Sequence, residues 1–290
     1  MKLSVVVPCL VRDAGVEKCL GEIRRQSAAG GAELELVVVE GVSPCGKARN
    51  EGLRQATGDY LAWVDADDEI LEGWWAELVA ALAGKPDVVV FGWHDDCRGC
   101  DDGPQATACA TGETLLRAVL RDASPFSFLW NKVIRRTLWD GARFDENLRL
   151  MTDFDLLPQV LENAQRIVTI DRVLYRYHYS GGSVCRRDLP GKEAEVLEIG
   201  WHRVERWRET PFAADAWPFF ALKISERYTR VASASGKLAD DDLLQRQLAR
   251  VAGNWGLVLS SGGLRMQDRL KVLFAKLGWA WPQRVLGRRV

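Results

Sequence analysis

The sequence lacks a long hydrophobic run and an excess of basic charge, and we do not expect its first residues to form a leader segment. None of its apolar runs reaches 18 residues, so we expect no membrane-spanning helix. The apolar part of the N-terminal MKLSVVVPCL is too short for a signal peptide and is typical of a first strand. The formal net charge is −1, whereas nucleic-acid binding needs a basic surface, so we expect no nucleic-acid partner.

The seven cysteines form no regular pattern. Their odd number and wide scatter are typical of reduced thiols and argue against a disulfide framework, so we expect a cytoplasmic location. The stretch HDDCRGCDDG (94–103) does hold a Cys-x-x-Cys beside His94, and three such soft ligands could bind zinc. No second pair follows at zinc-finger spacing, so we favour an acidic surface loop.

Apolar strands alternate with amphipathic helices in the first third of the chain. Strands are predicted at 3–7, 34–40, 60–64 and 87–93, and helices at 16–23, 46–58 and 75–82. This alternation predicts an α/β fold with a mostly parallel sheet flanked by helices. Further helices are predicted at 112–122 and 151–164, and further strands at 166–171 and 173–179.

Strand signals end near residue 185. Beyond it, apolar residues recur only at helical spacing, in four sets: 197–204, 220–231, 244–255 and 266–277. A chain of 290 residues is long enough for one domain with an extension. We therefore expect an α/β domain over 1–185 and an all-helical extension over 186–290.

Three aspartates follow the third predicted strand, in GDYLAWVDADDEIL (58–71). Asp65, Asp67 and Asp68 would lie beyond the carboxyl end of that strand, which is where ligands bind in open parallel sheets. Hard divalent cations take carboxylate oxygens together with substrate phosphates, so the cluster fits a metal–diphosphate site. The alternative is a solvated turn that helps to cap the next helix.

The stretch GKARNEGLRQATGDYLAWVDADD (46–68) resembles the family-2 glycosyltransferases of the GT-A fold. That family has the pattern A-R-N-x-G-L-x-x-A-x-G-x-Y-L, then a strand, then D-x-D-D. The matching residues are Ala48, Arg49, Asn50, Gly52, Leu53, Ala56, Gly58, Tyr60, Leu61, Asp65, Asp67 and Asp68. Downstream, 130–161 and 173–184 are similar to the family's W-N-K, R-F-D-E, acidic helix start and G-S loop. The resemblance covers about residues 3–184 and implies a GT-A fold.

This resemblance implies a nucleotide-diphosphate sugar as donor, with UDP as the expected nucleotide, and a divalent cation, Mn²⁺ or Mg²⁺. It implies that Asp67 is the direct metal ligand and that His178 helps to bind the metal or the diphosphate. Asp153 matches the catalytic base of the family. The residues implied to bind the nucleotide-sugar are Pro8, Glu40, Arg49, Asp65 and Ala66.

An inverting glycosyltransferase is therefore the expected activity. Asp153 would deprotonate a hydroxyl of a glycan or lipid-linked acceptor, which would attack the anomeric carbon opposite the nucleotide. The first turn of a helix favours the ionised carboxylate that a general base requires. The alternative is that Asp153 only caps this helix, and Asp155 is the reserve candidate for the base.

Three other residues have plausible packing or surface roles. His178, flanked by aromatic residues, could be a packed strand residue. Arg49 could be an ordinary cation on the surface of its helix. Trp130 could stack on a sugar, but packing is the favoured interpretation.

The sequence departs from the family pattern at three places. Leu10 and Val11 stand where the family has Tyr and Asn after the first strand. Glu40 is the only acid at the place of the Asp that contacts uracil, and Thr152 replaces the Glu before the base. The identity of the nucleotide base is therefore open. The main alternative function is that of a catalytically inactive protein that binds nucleotides or partners. A nucleotidyltransferase is a weaker rival, because PCLVRDAG (8–15) is not a glycine- and basic-rich phosphate loop.

The C-terminal segment 264–290 holds seven Lys or Arg against one Asp, beside the apolar residues Leu270, Leu273, Phe274 and Leu277 and then Trp279 and Trp281. This combination is typical of a helix that lies on a membrane surface. A peripheral contact with the inner face of the membrane is therefore one expectation. The alternative is a helix that packs on the protein with a cationic outer face.

Overall fold

The structure, a computed structural model, describes residues 1–103, 111–121, 127–178, 190–260 and 262–280. The chain divides into two compact units, Met1–Val119 with Ser124–Arg187, and Leu120–Ala123 with Asp188–Val290. The predicted boundary at 185/186 lies outside the described residues and stays a prediction. The same is true of the G-S loop at 180–184 and of Trp281.

The first unit contains a sheet and the helices that flank it. Its elements are β1 Lys2–Cys9, α1 Ala14–Ser27, β2 Glu33–Glu40, α2 Cys45–Gln55, β3 Tyr60–Trp63, β4 Glu69–Ile70, α3 Trp74–Leu82, β5 Val88–Asp95, β6 Cys100–Asp102, α4 Gly112–Leu120, β7 Lys132–Arg135, α5 Thr152–Leu161 and β8 Ile167–Tyr177. The four predicted strands before residue 95 are all present. The two strands predicted at 166–179 form one continuous strand, β8.

The strand order is β2-β1-β3-β7-β5-β8-β4, with β6 paired to β5. β1 pairs parallel with β2 and β3, and β5 pairs parallel with β8. The other four pairings are antiparallel and each is shorter than any parallel pairing, so the sheet is mixed but most of its pairing is parallel, as expected. β7, a four-residue strand that lies between β3 and β5, runs opposite to both.

The core of this unit lies where the sheet packs against α1 and α3. Val5 and Val7 of β1 are fully buried there, as are Leu20 and Ile23 of α1. Each large apolar side chain buried in this way contributes roughly 1.5–3 kcal/mol of transfer free energy. Strands that are apolar on both faces are covered by helices on both sides, which explains their unbroken apolar runs.

The second unit is helical in its described residues, as the sequence predicts. Its helices are α6 Lys192–Trp207, α7 Ala213–Ala234, α8 Asp242–Val251, α9 Trp255–Ser260 and α10 Met266–Lys276. α7 packs against each of the other four. The third predicted apolar set, 244–255, crosses a break, because Gly253 adopts a φ of 86° and Trp255 begins a new helix. Within the described residues, no helix is both long enough and apolar enough to cross a bilayer.

Candidate functional site

The carboxyl ends of the first three strands meet at one edge of the sheet. β2 ends at Glu40, which lies opposite Cys9 in β1, and Pro8 is the preceding residue of β1. β3 runs parallel to β1 and ends two residues before Asp65. The structure therefore brings Pro8, Glu40 and Asp65 to the same edge, as expected for a ligand site in an open sheet.

The Asp-Ala-Asp-Asp segment forms a tight turn that gives its acids different environments. The backbone N–H of Asp68 donates to the carbonyl of Asp65 at 3.0 Å, which closes the turn. The Asp68 side chain is buried, Asp65 and Ala66 are half-buried, and Asp67 is exposed. Asp67, the expected metal ligand, is therefore the carboxylate most accessible to a ligand from solvent.

Tyr175 in β8 fixes the turn from the opposite side. Its hydroxyl donates to Asp68 at 2.7 Å and accepts the Asp65 backbone N–H at 3.1 Å. The backbone N–H of His178 also donates to Asp68, at 2.8 Å. The Tyr175 ring is fully buried and stacks on Trp130 with 4.7 Å between centroids. Tyr175 is therefore a structural support of the acid cluster.

Trp130 packs in the core. It is 4% exposed, and it stacks on Phe128 and Tyr177 as well as on Tyr175. The interpretation of Trp130 as a packing residue is thus the one that its position supports.

Arg49 is buried in α2 and faces the acid cluster. Its guanidinium lies 3.8 Å from the Asp65 carboxylate and donates to the Thr152 hydroxyl at 2.6 Å. It also lies over the ring of Phe144, 5.6 Å from the centroid. Arg49 is therefore not a surface cation, and it joins α2, the acid turn and α5.

Asp153 lies close to this group, in the first turn of α5. Loss of hydration raises the pKa of Asp65 to about 6; Arg49 opposes this effect, and the nearby charges of Asp67 and Asp153 add to it. The four charged groups are therefore one electrostatic cluster. The N-cap residue of α5 is Met151, in the left-handed conformation (φ 54°), and its side chain makes no capping hydrogen bond; the Thr152 hydroxyl is bonded to Arg49.

The acidic groups of this cluster outnumber its one arginine, which would suit a bound divalent cation. Burial raises the pKa of Asp68 to about 9, and the neighbouring charges of Asp65 and Asp67 add to it, although hydrogen bonds from Tyr175 and His178 oppose the rise. One guanidinium thus faces several carboxylates. Among the described residues, no group of three or more His, Cys, Asp or Glu side chains is arranged to hold a metal. A cation that takes one or two carboxylates plus phosphates and water would suit this donor set.

The His178 ring lies against two other carboxylates. Its Nδ1 is 2.6 Å from Asp96, and its Nε2 is 3.6 Å from Glu69. His94 contacts the same Asp96 at 3.6 Å. His178 therefore adjoins the acid turn through its backbone, and its role as a metal or diphosphate residue stays a prediction.

The Cys-x-x-Cys stretch forms an exposed hairpin between β5 and β6. His94 lies opposite Asp101 in the pairing and is 2.7 Å from it, while Arg98 in the turn bonds to Asp95 and Asp102. These contacts are those of an acidic loop with its own ion pairs. They favour the surface-loop interpretation over a zinc site.

Sequence reasoning did not identify three features of this site. These are the support by Tyr175, the bond between Thr152 and Arg49, and the proximity of Cys45. Surrounding protein raises the pKa of the Cys45 thiol, and the charges of Asp65 and Asp153 contribute.

A cavity of about 850 Å³ lies at the end of β2, between α2 and residues 136–146. Glu40, Lys47 and Trp139 are among its lining residues. Asp65 and Asp153 are not among the described residues that line it. The cavity is therefore adjacent to the predicted base-binding residue Glu40 but distinct from the acid cluster.

Sequence comparison relates the chain to glycosyltransferases. Residues 43–140 match the profile "Glycosyl transferase family 2". The "Uncharacterized glycosyltransferase EpsJ" of Bacillus subtilis is 23% identical over 227 residues, 66% of this chain and 64% of that protein. The "Uncharacterized glycosyltransferase YibD" of Escherichia coli is 27% identical over 221 residues, 70% of this chain and 64% of that protein. The chain thus spans about 64% of the length of these curated relatives.

Comparison with solved structures supports the same fold. S. aureus TarS 1–349 matches with a TM-score of 0.65 and 18% identity, over 98% of this chain and 89% of that one. Its complex with UDP-GlcNAc matches with a TM-score of 0.67 and 19% identity, over 98% and 90%. The sheet flanked by helices is consistent with these similarities. Residues 43–140 are similar to glycosyltransferase family 2, and the chain has the GT-A fold.

Proposed function

We propose that this protein is an inverting glycosyltransferase that transfers a sugar from a nucleotide-diphosphate sugar to a hydroxyl of a glycan or lipid-linked acceptor. The observation that carries the proposal is the cluster of Asp153, Asp65 and Arg49 beside the exposed Asp67. Such a cluster combines a candidate base with a place for a cation and a diphosphate. A solvated turn alone would not need a buried arginine.

The proposed donor is a UDP-sugar. TarS structures similar to this chain include complexes with UDP-GlcNAc and with UDP, which supports that nucleotide. Pro8 and Glu40 would contact the base, and Glu40 would replace the family's Asp with a longer reach. Arg49, Asp65 and Ala66 would contact the ribose and diphosphate.

The proposed cation is Mn²⁺ or Mg²⁺, held by Asp67 with the donor's phosphates, and with His178 as a second candidate residue. A bound cation of this kind stabilises negative charge on a departing diphosphate. Arg49 is a fixed positive charge in the same cluster, and its bond to Thr152 holds the guanidinium 3.8 Å from Asp65.

Asp153 would act as the general base. It lies in the first turn of α5, and the N–H of Phe154 donates to it at 2.9 Å. The acceptor proton would pass to Asp153 while the acceptor oxygen bonds to the anomeric carbon. The bond from that carbon to the diphosphate would break, with the electron pair leaving on the diphosphate. Attack opposite the leaving group inverts the anomeric centre, through a state of oxocarbenium character.

Asp153→Asn tests the base directly. We expect a loss of kcat of roughly 100- to 10,000-fold, because that is the usual contribution of a positioned general base. UDP with Mn²⁺ should still raise the melting temperature of this variant, since the substitution leaves the donor contacts in place. Turnover of the donor and thermal shift are the two measurements.

Asp155→Asn is the matched control, since Asp155 lies in the same first turn of α5. We expect it to keep most of the activity. If Asp155→Asn abolished turnover and Asp153→Asn did not, the assignment of the base would be wrong.

A second candidate function is binding of nucleotides or partners without catalysis. It is favoured by Leu10 and Val11, which are 66% and 70% exposed at the end of β1, where the family has Tyr and Asn. A thermal-shift panel of nucleotide-sugars with and without Mn²⁺, followed by turnover assays on every binder, separates the two functions. Metal-dependent UDP binding without turnover of any donor–acceptor pair would favour the non-catalytic function.

A further inference from the structure

Exposed apolar side chains are concentrated in one short part of the helical unit. Nine large hydrophobic residues are exposed in the described chain, and six of them lie between residues 257 and 279. These six are Leu257, Leu259, Met266, Leu270, Leu277 and Trp279. Single exposed apolar residues need no explanation, but a concentrated group marks an interaction surface.

α10 exposes one apolar face and buries the opposite one. At about 100° per residue, Met266, Leu270 and Leu277 fall within about 40° of one another around the helix. They are 65%, 42% and 46% exposed. Asp268 and Val272 are buried and lie about 180° away, on the side where α10 packs against α7. Burial against α7 therefore leaves the apolar stripe uncovered within this unit.

A row of cations runs beside the apolar stripe. Arg265, Arg269 and Lys276 fall within about 40° of one another, about 100° around the helix from the stripe. Arg265 and Lys276 are exposed and Arg269 is half-buried. The one acid of α10, Asp268, is buried and accepts hydrogen bonds from Ser225 and Arg265. The outward surface of the helix is thus apolar and cationic.

Trp279 extends this surface past the end of α10. It is 46% exposed, its backbone carbonyl accepts from the Tyr228 hydroxyl at 2.8 Å, and its ring stacks on Phe274. The chain at Trp279 is therefore tied to α7. Tryptophan at the border of an apolar and a polar region is favoured at membrane interfaces.

We propose that the exposed face of α10, together with Trp279, binds the surface of an anionic lipid bilayer. The apolar stripe would enter the boundary between headgroups and acyl chains, and the adjacent cations would pair with the anionic headgroups. Charge complementarity favours lipid over a second copy of the chain, because two such faces would bring like charges together. The proposal does not depend on glycosyl transfer.

Co-sedimentation of the full chain with vesicles tests this proposal. We expect binding to mixed phosphatidylglycerol and phosphatidylcholine vesicles, and much weaker binding to phosphatidylcholine alone or at high salt. The double variant Leu270→Gln/Leu277→Gln should bind the anionic vesicles roughly tenfold more weakly, because two apolar side chains would no longer enter the bilayer. Met266→Gln, the most exposed of the three positions, should also weaken binding.

The matched control is Leu10→Gln/Val11→Gln, which removes two exposed apolar residues from the other unit. It should bind vesicles as the wild type does. The proposal is overturned if the wild type does not sediment with anionic vesicles, or if the α10 variants sediment equally well. It is also overturned if light scattering shows a wild-type dimer that these variants lose, because the face would then bind a second copy. Unchanged melting curves would show that the variants fold.

Discussion

At the scale of single residues, the Asp-Ala-Asp-Asp turn assigns different roles to chemically identical side chains. Asp68 is buried and bonded to Tyr175, Asp65 faces Arg49, and Asp67 is exposed. The three carboxylates therefore differ in their exposure to water and in the groups they contact. A ligand arriving from solvent would therefore meet Asp67 first, with the other two held in place behind it.

Tyr175→Phe should weaken donor binding as well as stability. The variant keeps the aromatic stack on Trp130 but loses the bonds to Asp68 and to the Asp65 backbone, so a buried carboxylate loses one of its donors. We expect a loss of roughly 1–3 kcal/mol in the free energy of unfolding. We also expect a lower affinity for UDP with Mn²⁺, measured by titration calorimetry, because the turn is no longer fixed.

Tyr60→Phe is the control for this prediction. Tyr60 is buried, and its hydroxyl donates to the Pro86 carbonyl at 2.8 Å, away from the acid turn. This variant should lose stability but keep the affinity for UDP. Equal affinities in both variants would mean that Tyr175 does not position the acid cluster.

The sequence predicted which aspartates lie beyond β3 but not what holds them. Their position follows from local spacing after an apolar run, which a sequence pattern contains. Tyr175 is 110 positions from Asp65, and Thr152 is 103 positions from Arg49. Such contacts arise from the pairing and packing of distant elements, and one sequence gives no signal for them.

At the scale of elements, α2 can pack closely on β1 only because position 52 has no side chain. A Cβ on Gly52 would lie 2.4 Å from the Val6 side chain, which is fully buried. Gly52→Ala should therefore cost roughly 1–3 kcal/mol of the free energy of unfolding, because the core must shift to admit one methyl group. Urea unfolding measures this loss.

Gly21→Ala is the same substitution in a helix with open space around it. In the described part of the chain, no atom lies within 4 Å of a Cβ at Gly21 in α1, and the residue is exposed. We expect this variant to gain roughly 0.5–1 kcal/mol, because alanine is the better helix former. If both variants shifted stability in the same direction, close packing at Gly52 would not explain its effect.

Long runs and regular repeats of apolar residues predicted the strands and helices well, whereas short or interrupted patterns did not. The strands at 3–7 and 34–40 and the four helical sets after residue 185 all correspond to elements of the structure. The four-residue β7, KVIR, was missed because it holds only two apolar residues between charged ones. The break at Gly253 was missed because the apolar spacing continues across it, while its φ of 86° ends the helix.

At the scale of the whole molecule, the response to acid depends on carboxylates that tie distant parts of the chain together. Glu35 in β2 accepts bonds from Lys2, Ser4 and Thr57, and so joins the start of β1 to the segment after α2. Loss of hydration raises its pKa, but these hydrogen bonds outweigh that effect and lower it to about 2. The folded state therefore holds Glu35 as a carboxylate at pH values where the unfolded chain binds a proton.

We expect the stabilisation from Glu35 to be fully present above pH 4.5 and to be lost as the pH falls towards 2. A group with a depressed folded-state pKa favours folding only while it is ionised, and the shift corresponds to roughly 1–3 kcal/mol after allowance for solvent screening. Glu35→Gln should therefore be less stable than the wild type at pH 6, and the difference should shrink between pH 4 and pH 2.5. Urea unfolding at a series of pH values measures the two curves.

Glu33→Gln separates this effect from a general loss of negative charge. Glu33 is on the same strand and lies 4.0 Å from the same Lys2 amine, but its side chain is 71% exposed. We expect its stability curve to follow that of the wild type across the whole range, because exposed ion pairs contribute little. If Glu33→Gln and Glu35→Gln converged with the wild type in the same way at low pH, the acid response would come from net charge and not from the hydrogen bonds at Glu35.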